Sequence, residues 1–170
     1  MSSEAFRTKA LTPYQVKLIE APKSGCTRLL DKTVFSLPKR SEEEESTLHD
    51  YPIYEICAIA ESLGYNVEEK HLAGEHGPDI IIRNRLTGIG VIIESEVGHN
   101  ITASSYRKFE RETKEYATAK NIKAIIVVTE TPRRVWKKTM KGIEPRRNFF
   151  VVAGSVFKDV IPALLVKLLG

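Results

Sequence analysis

The chain has 170 residues, with 26 Lys and Arg against 22 Asp and Glu, and a formal net charge of +4. This length suits one domain that buries its own core, and its two cysteines, Cys26 and Cys57, are too few for a disulfide scaffold and lack zinc-site spacing. No apolar run approaches the roughly 18 residues of a membrane span, and the opening MSSEAFRTKALTPY has no signal-peptide core. A cytoplasmic protein with no membrane partner and two buried thiols is therefore expected.

Residues 1–47 read as an N-terminal extension, with short strand candidates at 14–19 and 33–37. The run Ser41-Glu42-Glu43-Glu44-Glu45-Ser46 repels itself and reads as a solvated linker closing that extension. The main domain is expected over 48–170. Asp50 is placed to cap a helix, Pro52 suits its first turn, and Ile53, Ile56, Cys57, Ala60 and Leu63 form its apolar stripe. Gly64 is placed to end it in a left-handed conformation.

Strands are expected over 65–72, 79–84 and 89–97, the last two rich in β-branched residues and joined by Arg85-Leu86-Thr87-Gly88, a four-residue hairpin loop. A charged helix over 101–119, a strand over 123–129, a short helix from Pro132 to about Lys141, a strand over 148–153 and a helix over 156–169 follow. The alternation predicts an α/β fold, a mixed central sheet flanked by helices.

The hairpin gathers carboxylates. If Asn84 pairs with Ile89 across the loop, the same register sets Asp79 opposite Glu94. Directly paired residues share a face, and Glu96, two residues on, shares it too. Ile80, Ile82, Val91, Ile93 and Val97 take the other face, and Ser95 points that way as well. Carboxylates packed together repel and raise one another's pKa values. A hard divalent cation such as Mg²⁺ removes that cost, because it takes carboxylate oxygens with water and phosphate oxygens completing its shell. The alternative is a polar sheet edge on which three acids fall by chance, but apolar residues on both faces of both strands argue for a buried hairpin.

Gly77-Pro78-Asp79, then fourteen residues, then Glu94-Ser95-Glu96 resembles the PD-(D/E)XK signature of the restriction-endonuclease-like superfamily, which includes type II restriction enzymes and archaeal Holliday-junction resolvases. The likeness spans roughly residues 50–130. It implies a restriction-endonuclease-like core of order αβββαβ and a Mg²⁺- or Mn²⁺-dependent endonuclease acting on DNA, many such enzymes working as homodimers. It implies Asp79 and Glu94 as metal ligands. Glu96 stands where the family usually has Lys. It is a general base in one reading, as in the E-x-E minority, and a sign of lost activity in the other. The missing Lys has candidates in Lys108 and Lys114 on the following helix. The acid that many members carry on the first helix is matched by Glu55, although it lies off the apolar stripe.

Arg133, Arg134, Lys137, Lys138 and Lys141, continuing to Arg146 and Arg147, surround Trp136 with one acid, Glu144, among them. That density suits phosphate contacts, with Trp136 free to stack or to anchor the core. Arg107, Lys108, His99 and Asn100 follow the acidic strand and are further candidates for phosphate contact. The alternative function is a catalytically inactive nuclease-fold module that binds nucleic acid or a protein partner.

Overall fold

The computed structural model describes residues 17–19, 40–97, 104, 105, 107–109, 111, 115, 121–131 and 148–170. In chain order the elements are β1 (Lys17–Ile19), α1 (Glu42–Ser62), β2 (Asn66–Lys70), β3 (Ile80–Arg83), β4 (Gly90–Glu96), β5 (Ile122–Thr129), β6 (Phe149–Ala153) and α2 (Phe157–Leu169). The fold is α/β, a mixed sheet flanked by helices, as expected. The expected helix at 132–141 and the strand candidate at 33–37 lie outside the described residues.

The strands form one sheet in the order β1-β6-β5-β4-β3-β2. The β2–β3 and β3–β4 pairs are antiparallel, whereas β4–β5, β5–β6 and β6–β1 pair in parallel. β4 is buried along its whole length, as befits a strand covered on both faces. On one face Ile80, Ile82, Val91, Ile93, Ile126 and Val128 meet α1 and α2. On the other, Ile81, Ile92, Ile125, Val127 and Val151 meet Phe109, a helical residue whose ring centroid lies 6.1 Å from that of Phe149. Each fully buried isoleucine contributes roughly 1.5–3 kcal/mol, so these two layers fix where the hairpin sits.

The hairpin has the expected register. Ile80 pairs with Ile93, Ile81 with Ile92, Ile82 with Val91 and Arg83 with Gly90. The Asn84 N–H donates to Ile89 O at 2.9 Å, which closes the loop over 85–88. Asn84 organises that loop, its Oδ1 accepting from the amides of Leu86 and Thr87 at 2.8 and 3.2 Å. Gly88 supplies the positive φ of 73° that completes the turn.

Two expectations about the N-terminal part need correction. The glutamate run is not a linker but the first turn of α1, which has 21 residues. Ser41 caps it, its Oγ accepting from the Glu44 N–H at 3.2 Å, and four acids in the first turn complement the positive end of the helix dipole. Asp50 and Pro52 therefore lie inside the helix, not at its start. Nor is the whole extension outside the fold, because Lys17–Ile19 pairs in parallel with β6. The other end of α1 is as expected. Gly64 has φ 86°, and the Gly64 and Tyr65 amides return to Glu61 O and Ala60 O, a Schellman closure.

Among the described residues no helix is long and apolar enough to cross a membrane. Cys57 is a buried free thiol; Cys26 lies outside the described residues.

Candidate active site at the open end of the hairpin

Asp79 stands one residue before β3, and continuing the observed register sets it opposite Glu94. Its backbone extends the pairing with the β2 side, since Asp79 O accepts the His71 N–H at 2.8 Å. Its side chain serves the other neighbour, with Oδ2 accepting the Ser95 N–H at 2.7 Å. The carboxylate thus caps the end of β4 where the backbone ladder of β3 has stopped.

Glu94 and Glu96 alternate with Ser95 on β4. Their face follows from the strand period: Ile92, two residues before Glu94, belongs to the Phe109 side of the sheet, so both glutamates point there. Glu94 is 3% and Glu96 9% exposed, and in the parallel pairing with β5 they stand beside Val127 and Thr129. Ser95 turns to the α1 face as expected, its Oγ donating to His49 O at 2.7 Å.

The carboxylate of Asp79 also meets the α1 side. His49, on the α1 side, places Nε2 at 3.3 Å from Asp79 Oδ2, and its Nδ1 lies 2.9 Å from Asp50 Oδ1. The three acids share one face by register, but among the described residues no group of three or more His, Cys, Asp and Glu side chains is assembled closely enough to hold a metal ion. The donors nevertheless suit a hard divalent cation in kind, being carboxylate oxygens. Asp79 Oδ2 carries both described contacts of that carboxylate.

His49 is the residue missed in the sequence. It lies four residues before Ile53 and seven before Ile56, squarely on the buried stripe once the helix is extended back to Ser41. The Ser41-x-x-Glu44 capping box was the signal that would have revealed it. Glu55, the expected helix acid, is elsewhere. Its Oε2 lies 3.5 Å from Lys158 Nζ, so it faces α2, as its position off the stripe dictates.

Lys108 is exposed, its Nζ 5.9 Å from the centroid of the Phe109 ring, and Arg107 is also exposed. His99, Asn100, Lys114, Arg133, Arg134, Trp136, Lys137, Lys138 and Lys141 lie outside the described residues.

Burial of the His49 ring works against its charge, but the hydrogen bonds to Asp79 and Asp50, and then the charges of both, outweigh it and push its pKa from 6.5 up to about 9. The folded state therefore holds the proton more tightly than the unfolded chain. The stabilisation is complete below pH 6.5 and is lost as pH rises through about 9. The unfolding free energy of the protein in EDTA, from urea titrations, is expected to fall across that window by an amount on the order of 1–2 kcal/mol after allowance for solvent screening. His49→Gln, which cannot titrate, should flatten the profile; an unchanged slope would mean that another group causes it.

No protein-family model matches the chain, and no curated protein has significant sequence similarity to it.

Proposed function

We propose that this protein is a metal-dependent endonuclease that hydrolyses phosphodiester bonds in DNA on a restriction-endonuclease-like core. The observation that carries the reading is the pair Glu94 and Glu96, two buried acids on the central strand β4, in a hairpin whose register sets Asp79 opposite Glu94. Burying carboxylates in a sheet otherwise filled with Ile and Val costs stability. Function is the common reason such a cost is retained.

In this reading Asp79 and Glu94 hold Mg²⁺ or Mn²⁺, which supplies Lewis acidity toward the phosphoryl group. Glu96, one strand period beyond Glu94, accepts a proton from the attacking water. Ser95, between the two glutamates, anchors this part of β4 by donating its hydroxyl hydrogen bond to His49 O and its backbone N–H to Asp79 Oδ2. Arg107 and Lys108, with the basic run Arg133, Arg134, Lys137, Lys138 and Lys141, provide phosphate contacts along the DNA.

A non-catalytic module on the same fold is the second reading. It is favoured by the engagement of Asp79 Oδ2 with His49 and by Glu96 in the place of the usual Lys. One assay separates the two. Plasmid, single-stranded and four-way-junction DNA are incubated with Mg²⁺, Mn²⁺ or EDTA, using wild type and Asp79→Ala. Cleavage that requires the metal and falls by at least about 100-fold in Asp79→Ala supports the nuclease. DNA bound but not cut with either metal, or cut equally well by the variant, sinks it.

A further inference from the structure

The contacts around Asp79 close into a ring that joins three elements. His49 Nε2 faces Asp79 Oδ2 at 3.3 Å and His49 Nδ1 faces Asp50 Oδ1 at 2.9 Å. A carboxylate oxygen only accepts, so both ring nitrogens donate. His49 O accepts the Ser95 hydroxyl at 2.7 Å, and the Ser95 N–H returns to Asp79 Oδ2 at 2.7 Å. Asp50 Oδ1 also accepts the Ala73 N–H at 2.8 Å, which ties down the loop leading to Asp79. The side chains of His49 and Asp79 are 16% and 13% exposed, so little water competes for these bonds.

Such a ring dictates how Asp79 can act. A free aspartate rotates about its Cα–Cβ and Cβ–Cγ bonds and offers either oxygen, or both. Here Oδ2 is held by two donors from two different elements, and both bonds would have to break for the carboxylate to turn. We propose that His49 and Asp50 are positioning residues: they lock the Asp79 carboxylate so that Oδ1 alone is presented to the divalent cation. Outer partners of this kind typically change metal affinity or activity by about 10–100-fold. The inference rests on the nuclease reading for the purpose of the site, and on the hydrogen-bond ring for the identity of the two residues.

Side-chain geometry supplies the test. A Gln at position 49 can carry an N–H to the place of Nε2, toward Asp79. An Asn is shorter and reaches only the place of Nδ1, toward Asp50. Mn²⁺ is titrated into wild type, His49→Ala, His49→Asn, His49→Gln, Asp50→Asn and Asp79→Ala by calorimetry, and kcat and KM for DNA cleavage are measured in parallel. His49→Ala and His49→Asn are expected to weaken Mn²⁺ by about 10-fold and lower kcat by about 10–100-fold with KM for DNA little changed. His49→Gln should recover to within about 3-fold of wild type, and Asp50→Asn should fall between. A urea midpoint for each variant separates these effects from unfolding, and Asp50→Asn serves if His49→Ala does not fold.

Equal Mn²⁺ affinity in wild type and every position-49 variant would overturn the proposal. So would loss of Mn²⁺ in His49→Ala as complete as in Asp79→Ala, with no recovery in His49→Gln, since that would make His49 itself a ligand. Mn²⁺ uptake without cleavage of any DNA would sink the nuclease reading alone, leaving the ring to be judged by the titrations. Wild type that takes up no Mn²⁺ would overturn both.

Discussion

On the proposed nuclease reading, Glu94→Gln is expected to remove metal-dependent cleavage while leaving the metal-free protein at least as stable as wild type. Glu94 lies on the central strand, 3% exposed, between β3 and β5. Gln has the same shape, so the packing of the Phe109 face is preserved, but the carboxyl group is gone. Replacing a buried acid in this way is worth roughly 0–2 kcal/mol where the site exists for function and not for folding. On the proposed nuclease reading the same change replaces an anionic metal ligand by a weak neutral one, and cleavage should fall by about 100-fold or more. Urea denaturation in EDTA and a plasmid-nicking assay read the two effects separately. Mg²⁺ should raise the wild-type midpoint and leave that of Glu94→Gln almost unmoved, because only a site that binds the ion gains by mass action. A strongly destabilised Glu94→Gln would show instead that the carboxylate belongs to the structural hydrogen bonding of the sheet.

Gly77→Ala is expected to have the largest effect on stability of any single-methyl change near the site. Gly77 has φ 116°, a conformation that side-chain-bearing residues rarely adopt. A Cβ added there would lie 2.6 Å from His71 Cε1. The imidazole cannot simply swing away, because its Nδ1 is 2.8 Å from Pro78 O and its own backbone N–H is bonded to Asp79 O. Backbone strain and steric overlap together should cost on the order of 2–4 kcal/mol. The damage reaches the site, since Pro78 and Asp79 follow directly in the chain. Urea midpoints measure the stability loss, and, on the proposed reading of Asp79 as a metal ligand, Mn²⁺ affinity of the folded fraction measures its displacement. Gly74→Ala is the control: Gly74 also has a positive φ, 85°, but nothing lies within 4 Å of an added Cβ, so it carries backbone strain without the overlap. If the two variants lose the same stability, the His71 contact is not the cause.

The sheet was legible in the sequence because its information is local. A strand has a period of two, and a four-residue loop allows one register that buries Ile80, Ile82, Val91 and Ile93 together. A slip of one residue would have sent that set to the other face. The observed pairs follow that register, and Ser95 turns toward α1 as the period demands. The start of α1 was legible too, in Ser41 and Glu44, but the charge of the glutamate run suggests a linker if the cap is overlooked. β1 was only partly legible. Three residues on a sheet edge carry little pattern, and their partner, β6, lies some 130 residues further along the chain.

The sequence by itself determined which acids belong to one hairpin and which faces they take. Only the tertiary structure decided what holds them. His49, Asp79 and Ser95 meet because α1 packs across the hairpin, bringing together side chains 30 and 16 residues apart. Glu55 was set beside Lys158 by the packing of α1 on α2. Periodicity reports the face on which a side chain leaves the backbone. The direction in which a carboxylate then turns depends on donors supplied by elements remote in sequence, and for Asp79 those donors are the His49 ring and the Ser95 amide.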